Sequence, residues 1–199
     1  MLLALIAMHV FAVLVPAVIA LHSPRPWLRI GFASFSLASI AELLDHTQTF
    51  WVYVNRVSVW NGVFYAALAA GLACLTAAMV RSKIVRWCLL ISAPVCASVY
   101  FLVGKEQAII IQALLSVLLL RYWWREFHDP LLWLYPIFAV MLTTGLGALL
   151  AISGDPIWHI FIGPCGSLGL IVLWLILQKA NLQPSWQQHP DPLLSSEEC

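Results

Sequence analysis

Residues 59–80 read VWNGVFYAALAAGLACLTAAMV and are followed at once by Arg81, Ser82 and Lys83. No charged residue interrupts the run. A hydrocarbon core about 30 Å thick is crossed by roughly 20 apolar residues in an α-helix, so this stretch is predicted to span a bilayer and to stop at the basic triplet. Six more runs of the same kind flank it, at 2–21, 27–46, 84–103, 107–124, 131–152 and 156–178. The links H-S-P-R-P (22–26), R-S-K (81–83), G-K-E (104–106), R-E-F-H-D-P (125–130) and S-G-D-P (153–156) are short enough to force antiparallel neighbours, and only 47–58 is longer. The fold expected is therefore all-α: a polytopic membrane protein with a seven-transmembrane-helix bundle over residues 1–180. The remainder, 181–199, is rich in Pro, Gln, Ser and Glu and reads as a disordered cytoplasmic tail.

Composition agrees with that count. Of 199 residues, 62% are hydrophobic and 10% charged, against roughly 25% charged in an ordinary soluble domain. No space is left for a soluble domain. The formal charge of +1 and the absence of a Lys/Arg cluster exclude a nucleic-acid partner from the expectations. Cys74, Cys88, Cys96, Cys165 and Cys199 show no paired spacing and read as small packing residues rather than a disulfide framework. Val18-Ile19-Ala20 would pass as a signal-cleavage site, but no basic residue precedes the apolar stretch, so the first run is kept as a span.

Basic residues set the orientation. With seven spans, the first, third and fifth links and the C-terminus share a side. That side carries Arg25, Arg29, Arg81, Lys83, Arg86, Arg121, Arg125 and Lys179, against only Arg56 and Lys105 on the other. By the positive-inside rule the N-terminus faces out and the C-terminus lies in the cytoplasm. The localisation expected is integral and multi-pass, in the plasma membrane, or the inner membrane if the protein is bacterial.

Ionisable groups within the spans then gather at one depth. The second run ends with Glu42, Asp45 and His46, the third begins beside Ser58 and Asn61, and the seventh begins with Asp155 and His159. His9 and Gln112 fall in the same outer half. Side chains of this kind face a bundle interior or a wet cavity, because lipid exposure costs a few kcal/mol each. An outward-opening polar cavity is expected. Plain structural roles stand beside this reading. Asp155 before Pro156 is an ordinary helix start, Glu42, Asp45 and His46 could mark the exit from hydrocarbon, and His9 is expected to hydrogen-bond between helices rather than to bind a ligand.

Spacing points to metal chemistry. Glu42 and His46 are four residues apart, as are Asp155 and His159, so each pair shares a helical face. Imidazole and carboxylate are good zinc ligands, and a catalytic zinc takes three protein groups and leaves one position open. His46, Asp155 and His159 are the expected ligands. Glu42 is the candidate general base for a metal-activated water, with Ser58 and Asn61 as further candidate catalytic groups. Iron(II) suits the same donors.

The layout of seven spans, with Glu42-x3-His46 ending the second, a polar residue opening the third and D-P-I-W-H-I-F-I-G-P-C-G-S-L (155–168) opening the seventh, resembles the CREST superfamily of membrane hydrolases. That group includes the alkaline ceramidases, the Per1 proteins and the progestin and adipoQ receptors. Its pattern is Ser-x3-His in the second span, Asp at the start of the third and His-x3-His in the seventh, with zinc on the histidines. Glu42 stands here in the serine position and Asp155 in that of the first seventh-span histidine. Ser58 or Asn61 lies nearest the family aspartate. The resemblance implies a zinc-dependent hydrolase that cuts an amide or ester bond of a membrane lipid. The alternative is a non-catalytic seven-span protein, receptor-like, that binds a lipid in the same cavity. An ion pathway is disfavoured because the inner half lacks matching groups, and a retinal protein because no Lys lies midway along the seventh span. Membrane lipid is the expected partner, and the sequence does not fix the oligomeric state.

Overall fold

A computed structural model describes residues 2–47, 53–54, 57–126, 152 and 157–179 of the chain. Among them are six helices: α1 (Leu2–His22), α2 (Pro26–His46), α3 (Val59–Ala77), α4 (Lys83–Leu102), α5 (Lys105–Glu126) and α6 (Ile157–Lys179). The first five are long and apolar enough to cross a membrane. Helix α6 corresponds to the seventh apolar run of the sequence; the sixth run, 131–152, and the tail from residue 181 lie outside the described residues, apart from Ile152. The helix bounds fall within three residues of those read from hydropathy, because a charge, a proline or a glycine sits at nearly every end.

The local signals explain those ends. Pro26 opens α2 from an extended Arg25, where a missing N–H is harmless. Ser82 precedes α4 and its hydroxyl accepts from the Val85 amide, the usual N-cap arrangement. Between α4 and α5, Gly104 has φ +141°, a conformation that side-chain-bearing residues rarely adopt. One feature escaped the hydropathy reading. The long link contains a short antiparallel pair, β1 (Tyr53–Val54) and β2 (Val57–Ser58), with Tyr53 opposite Ser58 and Val54 opposite Val57. Tyr53, Val54 and Val57 are β-branched or aromatic, as strands prefer, and the pair delivers the chain into α3. Ser58 is accordingly a strand residue at the threshold of α3 rather than part of its helical stripe.

Helix α3 is the centre of the bundle and packs against α2, α4 and α5, while α1 packs against α2 and α6. The centre can be this crowded because α3 is built from small residues: Ala67, Ala69, Gly71, Ala73, Cys74 and Ala77 are all buried. Close backbone approach is the means by which helices adhere in lipid, where apolar side chains gain little from leaving a hydrocarbon solvent. A Cβ built on Gly71 would stand 2.9 Å from the Phe35 ring of α2, and one on Gly31 would stand 3.3 Å from the Gly71 carbonyl oxygen. Interhelical polar contacts supplement this packing. Ser36 of α2 donates to the Val13 carbonyl of α1 at 2.9 Å, and Gln112 of α5 donates to the Tyr65 carbonyl of α3 at 3.2 Å.

The antiparallel order gives the bundle two chemically different ends. One carries His46, the strand pair and Lys105. The other carries Arg25, Arg29, Arg81, Lys83, Arg86, Arg121 and Arg125. Cys74 and Cys96 are buried, as packing residues are, whereas Cys88 is exposed, and no disulfide occurs among the described residues. Of the tryptophans near helix ends, Trp87 and Trp124 are exposed, but Trp123 is buried inside the bundle.

Candidate metal centre at the His46 end

Helix α1 ascends towards Ser23, and α2 returns beside it, so the early part of α1 lies against the late part of α2. His9 and Glu42 therefore meet. His9 is fully buried, and its Nε2 lies 3.5 Å from Oε2 of Glu42, a half-buried residue. One turn further along α2, the exposed His46 joins them, its ring centroid 5.1 Å from that of His9 and tilted 46° to it. One ligand atom from each of His9, Glu42 and His46 can be chosen so that all three lie within 4.8 Å of one another.

Both imidazoles are held in the same way. His9 Nδ1 lies 2.8 Å from the Leu5 carbonyl and His46 Nδ1 lies 2.8 Å from the Glu42 carbonyl, each the residue four positions back on its own helix. A carbonyl can only accept, so Nδ1 is the donor in each contact and Nε2 is the ring nitrogen that would ligate a metal. A ligating histidine is typically fixed by such a second hydrogen bond, which sets tautomer and ring orientation. The chemistry of the donor set thus fits a divalent transition metal: two imidazole nitrogens and one carboxylate oxygen.

A second cluster adjoins the first. Asp45 accepts from the Ser58 hydroxyl through one oxygen and from Asn61 Nδ2, at 2.9 Å, through the other. These contacts clasp the end of α2 to the start of α3 across the strand pair. Ser58 and Asn61, expected as catalytic groups, are thereby engaged by a carboxylate to which the sequence assigned no role.

The remaining expected ligands cannot be placed. Asp155 lies outside the described residues, and so does the side chain of His159. The backbone of α6 does reach this neighbourhood, since a Cβ on Gly163 would collide with the sulfur of Met8, the residue before His9. The residue that spacing undervalued is His9. Its one available signal was depth, because it lies in the same half of the bilayer as Glu42 and His46 while sharing no local motif with them.

At the opposite end Arg29 and Arg86 are directed at backbone carbonyls. Arg29 donates to the Ser23 carbonyl at 3.1 and 3.3 Å, and Arg86 donates to the Val80 carbonyl at 2.7 Å, so each satisfies a carbonyl at a helix–helix turn. Burial lowers Arg25 from the ordinary guanidinium value.

No curated protein and no solved structure matches the sequence. Over residues 1–183, however, it matches the family described as seven transmembrane receptor, 7TM_cyano; the chain belongs to that family of integral, multi-pass membrane proteins.

Proposed function

We propose that the protein is a receptor-like seven-span membrane protein that binds a divalent transition metal, with zinc the best fit, through His9, Glu42 and His46. The observation that carries this reading is the convergence of three donor atoms within 4.8 Å. With zinc–nitrogen bonds of about 2.0–2.1 Å, tetrahedral ligand atoms stand about 3.4 Å apart. The His9–Glu42 separation of 3.5 Å already matches. His46, exposed and at the helix end, needs only a side-chain adjustment to close the remaining gap. The metal would join α1 to α2 at the end that the charge bias assigns to the outside, which suits a site that senses or holds a ligand from that side.

A second reading is a metal-dependent hydrolase acting on an amide or ester bond of a membrane lipid, as the likeness to the CREST hydrolases suggests. The two-histidine, one-carboxylate set favours it in one respect: three protein ligands leave a position for water. The position of Glu42 weighs against it. The 3.5 Å between the carboxylate and His9 Nε2 leaves no gap for a water between them, which supports a ligand role for Glu42 over that of a general base. Asp45 is engaged by Ser58 and Asn61. The binding reading therefore fits more of the geometry.

Metal analysis and zinc titration of the purified full chain test the proposal. Near-stoichiometric zinc is expected in the native protein. His9→Ala should lower zinc affinity by more than the 10–100-fold that loss of a second-shell partner costs. His46→Ala should do the same. Unchanged affinity in both variants would remove the site. Incubation of the zinc-loaded protein with ceramides, phospholipids and N-acyl lipids separates the two readings. Product formed by the native chain and abolished by Glu42→Gln would establish the hydrolase.

A further inference from the structure

At the end opposite the histidines, a cavity of about 310 Å³ opens where the α3–α4 turn meets the last turns of α5. Its polar lining is Arg81, Ser82, Tyr122 and Arg125, and Met79 and Val85 supply apolar wall. Among the described residues no acidic side chain lines it. Arg81 from the α3–α4 turn and Arg125 from the last turn of α5 thus border a common space. Ser82 also marks the start of α4, so the positive end of that helix's dipole adds to the same field.

What surrounds the cavity indicates the source of an anion. Ile84, Trp87 and Trp124 are 76%, 67% and 58% exposed, and all belong to the helix turns that border it. Large apolar side chains exposed beside a basic cleft at a span end mark the level where head groups meet acyl chains, and tryptophan favours that depth. The charge bias assigns this end to the cytoplasmic leaflet, where anionic lipids concentrate and basic pockets between spans recognise their head groups. The volume is at the bottom of the roughly 300–1,000 Å³ range of small-molecule sites. It accommodates a head group and leaves the acyl chains outside along Ile84 and Trp124.

We propose that this cavity seats the phosphate of an anionic membrane phospholipid, held by the guanidinium groups of Arg81 and Arg125 with Tyr122 and the start of α4 completing the cradle. Arginine suits the role because its planar fork pairs with two phosphate oxygens at once. The site is independent of the metal centre, which lies at the other end of the bundle.

The test uses the full chain in nanodiscs of phosphatidylcholine, titrated with short-chain phosphatidylglycerol, with native mass spectrometry to count retained lipid. The native protein should retain phosphatidylglycerol over phosphatidylcholine. At about 1 kcal/mol per basic residue near a membrane surface, the preference should fall roughly fivefold in Arg81→Gln or Arg125→Gln and roughly 30-fold in the double variant. Arg121→Gln removes the same charge from the same face outside the cavity and should leave the preference intact. An equal loss in Arg121→Gln would overturn the proposal in favour of diffuse surface charge. Inorganic phosphate at the same concentration should not compete; full competition by it would overturn the lipid assignment. If the double variant fails to fold, Arg81→Lys with Arg125→Lys keeps the charge and loses the fork. An unaltered preference in that variant would overturn the bidentate contact.

Discussion

The two ends of the bundle handle charge in opposite ways. At the His46 end the ionisable groups are few, drawn from different helices, and directed at one another: His9 meets Glu42 beside His46, and Asp45 holds Ser58 and Asn61. At the arginine end they are many, and two of them are directed at backbone: Arg29 and Arg86 cover the carbonyls of Ser23 and Val80. The first arrangement spans between elements, and the second finishes elements. An arginine at a helix end has a long stem and can settle on nearby carbonyls with its head at the interface. A short carboxylate or an imidazole buried a turn deeper needs a partner from another helix, because lipid offers none. Depth and reach, more than residue class, separate a site from an anchor.

Topology offers the sharpest break of this contrast. Lys105 starts α5 at the His46 end and Lys83 starts α4 at the arginine end. With Cys88, the exposed native cysteine, changed to serine, Lys105→Cys should label from outside the cell with an impermeant maleimide, and Lys83→Cys only after the membrane is opened. The expected difference is all or none. Labelling of both from one side would mean that the two ends do not face different compartments.

Asp45 gives the next largest effect. Asp45→Ala leaves the Ser58 hydroxyl and Asn61 amide without their acceptor at a partly buried junction. A stability loss of about 1–3 kcal/mol is expected, since unsatisfied donors retain their full desolvation cost. Asp45→Asn keeps one acceptor oxygen and should lose about half as much. Thermal melting in detergent reads both. Zinc affinity should stay within about tenfold of native, the lower bound for loss of a second-shell contact, if the Asp45 clasp is separate from the metal centre. A collapse of zinc affinity in Asp45→Asn would merge the two clusters into one.

The sequence made the spans legible because each is bounded by a feature with a physical effect: Pro26 cannot be an interior helical donor, Gly104 takes a positive φ, and Arg81 to Lys83 cannot enter hydrocarbon. Half of the candidate site was equally legible. Glu42 and His46 share a helical face by their spacing alone, and helix geometry brings their groups together. His9 was not, because its meeting with Glu42 depends on how α1 slides along α2. That register is set by contacts such as Ser36 to the Val13 carbonyl and by the closeness of the small residues, and no local pattern encodes it. Asp45 was obscure for the same reason. Its partners lie 13 and 16 residues away across a strand pair that hydropathy does not register.

The smallest effect tests the arginine end on its own terms. Arg86 donates from Nε to the Val80 carbonyl at 2.7 Å, where the chain leaves α3 and prepares to enter α4. Arg86→Gln removes the charge and shortens the reach, so the Val80 carbonyl loses this donor. The expected loss is about 1 kcal/mol, from one charge-assisted hydrogen bond and a favourable position at the C-terminal end of a helix dipole. The dipole part is screened by salt, whereas the partly buried Asp45 contacts are screened much less. Raising ionic strength should therefore shrink the difference between Arg86→Gln and the native chain while leaving that for Asp45→Ala in place. Equal salt sensitivity for the two variants would erase the distinction between an end that covers backbone and an end that joins helices.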